Sequence, residues 1–228
     1  MAGQIKVDSI NADSNLALKI ANTAVAFIDA TGLRPTSGNV NLDATATSKL
    51  YLPSANTVAI QTAGVTAITV DASQNVGIGT SSPTSGLQTA GSSSKSAFKT
   101  PNIAEVNTVS ATAATGTINY DVTTQSVLYY TSNASGNFTV NFRGSSGTSL
   151  NTIMATGESL SATFLVTNGA TAYYNSVVQV DGSSVTPKWQ GGSAPTSGNA
   201  SSVDSYTYVI IKTGSATFTV LASVTKFA

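Results

Sequence analysis

The sequence predicts an all-β protein, and three observations lead to this prediction. Charged residues make up only 9% of the 228 residues, against roughly a quarter in ordinary soluble domains. Valine, isoleucine and threonine, which favour strands, are abundant, and small polar residues take the place of charges. Short alternating apolar stretches are separated by glycine- and serine-rich turns along the chain.

The composition also excludes several classes of function. Ten basic and ten acidic residues cancel, so a nucleic-acid partner, which needs clustered Lys and Arg, is not expected. Histidine and cysteine are absent, so no metal site, cofactor or thiolate chemistry is expected. No apolar run approaches the ~20 residues of a membrane span, and the first residues lack a signal-peptide core. We therefore expect assembly in a cytoplasm.

Residues 1–14 are interpreted as an anchoring segment. In "QIKVDSI" the residues Ile5 and Val7 alternate as in a strand, with Ile10 shortly after them. No partner strand lies nearby in sequence, so its free edge is suited to pairing with another protein. The alternative is that it pairs within an oligomer and caps the first repeat.

Residues 15–83 are interpreted as a β-repeat region. The segments "LALKIANTAVAFIDAT" (16–31) and "VAIQTAGVTAITVDAS" (58–73) align without a gap at an offset of 42. Only two of the sixteen aromatic residues precede residue 90, so this region cannot build a thick core alone. We expect its strands to pack against other copies around a shared axis.

The second repeat ends in "NVGIGTSSP" (75–83), which raises the question of a glycine-rich phosphate loop. A dinucleotide-binding fingerprint requires a third glycine where Ser82 stands, followed by a helix that this sequence does not favour. The apolar residues alternate with glycines at strand spacing. We therefore predict that this motif closes a structural repeat.

The rest of the chain is predicted to be a connector and a second domain. Residues 84–101 are rich in Ser, Gly and Pro, as linkers are. Residues 102–228 hold thirteen aromatics and regularly spaced turns, which predict an antiparallel, jelly-roll-like β-sandwich. The strands are expected near 103–109, 117–122, 126–131, 137–142, 159–167, 173–180, 185–189, 204–212 and 216–224.

One loop has the character of a binding site. The stretch 185–201 contains Trp189, the only tryptophan, between Lys188 and Gln190. An exposed indole beside amide and hydroxyl groups can stack on a sugar ring, which makes these three residues candidates for contact with a glycan or partner. The alternative is that Trp189 plugs the open end of the sandwich.

No catalytic residues are predicted, and the protein is not expected to be an enzyme. Glu158 and Asp181 are the only candidates for a facing carboxylate pair, and both lie at turns, where such residues ordinarily cap a bend.

A resemblance narrows these expectations. "NVGIGTSSP" resembles the repeat-closing motif of bacteriophage tail-fibre and other virion-appendage proteins. The stretches 3–35, beginning "GQIKVDSINAD", and 164–206, beginning "FLVTNGATAYY", are similar to segments of structural proteins from tailed marine phages, cyanophages especially. The resemblance implies a homotrimeric, β-structured fibre or appendage at the neck, head or tail of a virion. In such a fibre Gly77 and Gly79 would give the backbone room where strands crowd an axis.

The function expected from this resemblance is structural. The chain would be assembled in the host cytoplasm, reside in the virion and contact other virion proteins. One alternative is a receptor-binding adhesin that contacts host surface glycan through 185–201, and another is a capsid decoration protein. A depolymerising tailspike is disfavoured, because the chain lacks carboxylate pairs and the length of a parallel β-helix spike.

Overall fold

The computed structural model describes residues 16–20, 23–29, 32–35, 39–42, 45–90 and 98–227. The protein is all-β, as predicted, with 52% of residues in strands. The chain divides into two compact units, 1–101 and 102–228, and each is treated by itself below. No helix in the described part of the chain is long and apolar enough to span a membrane.

The first unit contains two sheets. Three antiparallel strands form one of them in the order β1-β2-β3: β1 (Leu16–Ile20), β2 (Thr23–Asp29) and β3 (Gly32–Pro35). The other has six strands in sequence order: β4 (Asn39–Asn41), β5 (Lys49–Tyr51), β6 (Val58–Thr62), β7 (Val65–Val70), β8 (Val76–Ile78) and β9 (Leu87–Thr89). Neighbours in it are antiparallel except β8 and β9, and β9 lies within the stretch predicted to be a connector.

The predicted repeat is present as two equivalent hairpins. In the first hairpin Leu16 faces Ile28, and the register shifts immediately after Leu18. In the second, Val58 faces Val70, and the register shifts immediately after Ile60. Because every one of these positions differs by 42 residues, the sequence repeat includes the β-bulge as well as the strands.

The second unit is a sandwich of two sheets. One has the order β10-β12-β14-β18-β19-β17: β10 (Asn107–Ala113), β12 (Val127–Ser132), β14 (Ser159–Thr167), β17 (Lys188–Trp189), β18 (Val203–Gly214) and β19 (Thr217–Phe227). The other has the order β11-β13-β15-β16: β11 (Gly116–Asp121), β13 (Phe138–Arg143), β15 (Asn175–Val180) and β16 (Ser183–Val185). A single short helix, α1 (Leu150–Ile153), lies between β13 and β14.

The predicted antiparallel sandwich is present as a sandwich, but only some of its neighbouring strands are antiparallel. From β10 to β15 the chain crosses to the other sheet after every strand, so neighbours within a sheet run parallel. The chain thus winds as a coil between the two sheets. Asn107 pairs with Val127 and Gly116 pairs with Phe138, so the first turn of this coil consists of about two strands and the two loops that follow them. Antiparallel pairing begins only where β16, β18 and β19 close the coil.

The two sheets of the second unit enclose one aromatic core. Phe138 from one sheet contacts Phe164 from the other, with ring centroids 5.3 Å apart. Phe142 and Tyr208 meet in the same way at 4.8 Å. This core also contains buried side chains from both sheets, with Phe218 partly buried beside them: Phe164, Val166, Val178, Val180, Val220 and Ala222.

Candidate functional site

One face of the six-stranded sheet in the first unit is mainly apolar, and its first row ends at Thr89 on β9. The register places aliphatic residues directly opposite each other across five strands, and a second row runs beside the first. We call these two rows the apolar face: Val40, Leu50, Ile60, Ile68 and Ile78 in the first row, and Val58, Val70, Val76 and Leu87 in the second.

The apolar face is exposed to solvent in the single chain. The five residues of its first row are between 36% and 46% exposed, and Leu87 of the second row is 59% exposed. Of the large aliphatic and aromatic side chains described between residues 39 and 90, none is buried, and Ala59 is the only small one that is. Exposed apolar patches of this kind mark surfaces for association.

The opposite face of the same sheet is small, polar and covered. Tyr51, Ala59, Thr69 and Gly77 lie across from one another on that face. Thr69 is 1% exposed, and the Tyr51 hydroxyl lies 2.8 Å from that of Thr66. This sheet therefore buries its polar face and exposes its apolar one.

The loop 80–86 covers that polar face and explains the glycine motif. A Cβ on Gly77 would lie 2.4 Å from the carbonyl oxygen of Thr80 and 3.4 Å from Cδ of Pro83. Gly79 adopts a φ of +74°, which glycine accepts without strain. The motif forms β8 and the loop after it, and Gly77 makes room for that loop within the same chain.

The apolar face carries no charge. Lys49 lies on the opposite face, with Nζ 4.9 Å from the Tyr51 ring centroid. The carboxylate of Asp71 accepts hydrogen bonds from the backbone N–H groups of Ser73 and Asn75, both at 2.9 Å. The hydrogen bond from Asn75 is the main cause that lowers the pKa of Asp71. Identical copies can thus meet on this face without bringing like charges together.

Trp189 lies at the open edge of the sandwich and is half-buried. Its ring meets the rings of Tyr206 and Tyr208 edge-on, with centroids 6.4 Å apart in both cases. The indole therefore closes that edge of the core, as one of the two sequence interpretations proposed. It also borders a cleft of about 380 Å³ that Pro187 and Pro195 help to line.

The structure separates the other two predicted contact residues from this cleft. Lys188 pairs with Leu221 and Trp189 with Ala222, and successive residues of a strand point to opposite faces. Lys188 and Gln190 are exposed and line a different cleft of about 330 Å³. The proposed anchoring residues, Ile5, Val7 and Ile10, lie outside the described residues.

The two carboxylates considered as catalytic candidates have turn roles, as the sequence predicts. Glu158 accepts a hydrogen bond from the N–H of Ala155 at 2.8 Å. Asp181 accepts hydrogen bonds from the N–H groups of Leu150 and Asn151 at 2.6 and 2.9 Å, which caps α1. Among the described residues no three acidic side chains form a cluster that could hold a metal ion.

Sequence reasoning missed a buried polar site in the second unit. Asp204 is fully buried, and its Oδ2 accepts hydrogen bonds from Nδ2 of Asn168 at 3.1 Å and from the N–H of Asn199 at 2.9 Å. Its Oδ1 has no hydrogen-bond partner among the residues that the structure describes. Burial is the main cause that raises the pKa of this carboxyl, and the hydrogen bond from Asn199 and then the charge of Lys226 partly offset it. The partners are distant in sequence, so no local motif marks the site.

Comparison with known proteins gives no relative for this arrangement. No protein-family model matches the chain, and no curated protein or solved structure matches it either.

Proposed function

We propose that the protein is a non-enzymatic structural component of a bacteriophage virion, a homotrimeric fibre or appendage at its neck, head or tail. The observation that carries this proposal is the apolar face of the first unit. A protein whose role is to assemble needs a surface of this kind, whereas a catalyst needs converging polar groups.

The apolar face favours identical copies as its partner. It is uncharged and built from stacked rows of aliphatic residues, which can interdigitate with the same rows of another sheet at the ~10 Å spacing of packed sheets. Its five strands, ~4.8 Å apart, extend over about 20 Å. Two or more copies that bury this face give the first unit the hydrophobic core that it does not have alone.

The number of copies and the virion come from the sequence resemblance. At least one further copy of the chain is needed to cover the apolar face. The resemblance of "NVGIGTSSP" to repeat-closing motifs of phage fibres, which are homotrimers, gives three as the number of chains. The same resemblance supplies the other virion proteins as partners. A trimer with its apolar faces towards a shared axis and its loops 80–86 outside would bury the apolar face and agree with the resemblance.

Attachment to the particle is assigned to the first residues. Ile5, Val7 and Ile10 would form a strand that pairs with a neighbouring virion protein. Deletion of residues 2–12 is expected to leave the trimer intact and to abolish incorporation into particles. Loss of the trimer itself would show instead that this segment caps the first repeat.

The virion assignment is tested by the composition of purified particles. Virions from a phage that encodes this chain should contain it in a multiple of three copies after density-gradient purification. A chain that is made during infection but is absent from particles would contradict the proposal.

A further inference from the structure

We propose that the cleft beside Trp189 binds a saccharide ring. This inference is independent of the proposed trimer, because every residue of the cleft belongs to the second unit of a single chain. The cleft opens between β15 and β16 of one sheet and β17 of the other, at the edge where the sandwich is not closed by a further strand.

The cleft has an apolar wall and a hydroxyl rim. Val185, Pro187, Trp189 and Pro195 provide the wall, and Ser184 and Thr186 are the adjacent hydroxyl residues. Its volume of about 380 Å³ falls within the range of roughly 300–1,000 Å³ that is typical of small-molecule sites.

The polar groups at the cleft are available to a ligand. In the described part of the chain, the hydroxyls of Ser184 and Thr186 make no hydrogen bond to protein, and neither does the indole N–H of Trp189. Asn175 at the floor differs, because its Oδ1 accepts from the Tyr208 hydroxyl at 3.0 Å and its Nδ2 donates to the Phe138 carbonyl at 3.1 Å. That network holds the floor rigid and leaves the rim groups free.

These features select a saccharide among small ligands. A pyranose ring has a face of C–H bonds, which stacks on an indole, and an edge of hydroxyls, which both donate and accept hydrogen bonds. No charged side chain lines the cleft, so a phosphorylated ligand would lack a counter-ion. A wholly apolar ligand would leave the rim hydroxyls and the indole N–H unpaired.

The position of Trp189 makes it both a structural and a binding residue. Contacts with Tyr206 and Tyr208 fix one edge of the ring against the core. A fixed aromatic surface loses little conformational freedom on binding. Since a single open cleft supplies few contacts, we expect a dissociation constant of about 1 mM.

Trp189 is the only tryptophan, and it borders both this cleft and the one that Lys188 and Gln190 line. Its fluorescence therefore reports binding at either cleft, and the variants described below distinguish the two. The full-length protein is excited where tyrosine does not absorb and titrated with glucose, galactose, mannose, N-acetylglucosamine and β-1,4-linked trimers of glucose and N-acetylglucosamine. Glycerol is the control for a polyol without a ring. We expect at least one sugar to give a saturable change in emission, with saturation-transfer NMR signals on its ring C–H protons.

Variants locate the binding. Thr186→Ala keeps the indole and should weaken sugar binding about three- to tenfold. Thr117 is an exposed residue of β11 outside the cleft, so Thr117→Ala should leave sugar binding unchanged. Trp189→Phe keeps an aromatic ring against the core and should reduce the NMR signals about tenfold in a protein that is still folded by circular dichroism. The proposal is wrong if no sugar of the panel gives a saturable response up to about 100 mM, far above the expected constant. It is equally wrong if Trp189→Phe binds as the wild type does.

Discussion

Single buried polar residues that no local sequence motif marks help to hold the second unit together. Asp204 joins the loop after β14 to the loop before β18 through Asn168 and Asn199. Tyr120 donates hydrogen bonds from its hydroxyl to the carbonyl oxygens of Ser126 and Thr163. Both residues are fully buried, so their ionisation is linked to stability.

Asp204→Asn should change how stability depends on acidity. Because burial raises the pKa of Asp204 above its ordinary value of 3.8, the folded state favours the protonated form. Wild-type stability is therefore greatest with respect to this group below pH 3.8 and falls as pH rises through the raised pKa. Asn cannot ionise, so the free energy of unfolding of the variant should increase relative to that of the wild type as pH rises from 3.8 through the raised pKa of Asp204. Chemical denaturation at a series of pH values measures this, and parallel profiles for the two proteins would contradict it.

Tyr120→Phe should destabilise the protein at neutral pH by about 1 kcal/mol, because it removes the hydroxyl that bonds two carbonyls. Burial raises the pKa of Tyr120 to about 12. The contribution of the buried Tyr120 hydroxyl to the free energy of unfolding is thus present below pH 10 and is lost as pH rises towards 12. The variant should consequently lose less stability than the wild type in that range.

Tyr129→Phe is the matched control for this change. The Tyr129 hydroxyl makes no hydrogen bond within the described residues, so its removal should alter stability by less than about 0.5 kcal/mol. Urea denaturation compares the two variants. Equal losses would show that the hydroxyl of Tyr120 has no special role.

At the scale of elements, the sequence predicts strands better than it predicts their partners. Alternation and turn residues place the strands of the second unit to within a few residues, and the repeat at an offset of 42 is a repeat of bulged hairpins. The pairing was wrong because a turn that crosses between sheets and a hairpin turn use the same glycine, serine and asparagine residues. Direction of pairing depends on contacts between distant segments, which no single stretch encodes.

The apolar face illustrates the same limit. Alternation in 58–60 and 68–70 predicts that one side of these strands is apolar. Which side is covered depends on the loop 80–86, which folds onto the polar side because Gly77 lets it approach. Likewise, the sequence identified Trp189 as a candidate, but only the strand register shows that Lys188 points away from its cleft.

Ile60→Asp should prevent self-association. Ile60 lies in the middle of the first row of the apolar face, between Leu50 and Ile68. Burial of its carboxylate in each copy costs several kcal/mol, which lowers the association constant by more than about 100-fold. Size-exclusion chromatography with light scattering should show a mainly monomeric variant.

Ser81→Asp is the control for Ile60→Asp. It adds the same charge at an exposed position on the loop that covers the opposite face, and the oligomer should persist. If both variants dissociate, the effect comes from charge in general. If neither does, the apolar face is not the interface.

At the scale of the whole molecule, the two units obtain their cores in different ways. The aromatic core lies entirely within the second unit, whereas the six-stranded sheet of the first unit leaves most of its described large apolar side chains exposed. We therefore expect the second unit to fold by itself, and the proposed self-association would give the first unit the core that it lacks alone.

The isolated fragment 102–228 should accordingly fold alone. Far-UV circular dichroism is expected to show strand and almost no helix, and urea should unfold it in one cooperative transition. A fragment that is unfolded in buffer would contradict the independence of this core.

Because the first unit is proposed to fold only together with further copies, the mass of the full-length protein in solution distinguishes this proposal from independent folding. Sedimentation equilibrium at micromolar concentration should give three times the chain mass of 23.0 kDa, without a folded monomer at the lower end of the gradient. A stable, fully folded monomer at that concentration would show that the first unit folds without further copies of the chain.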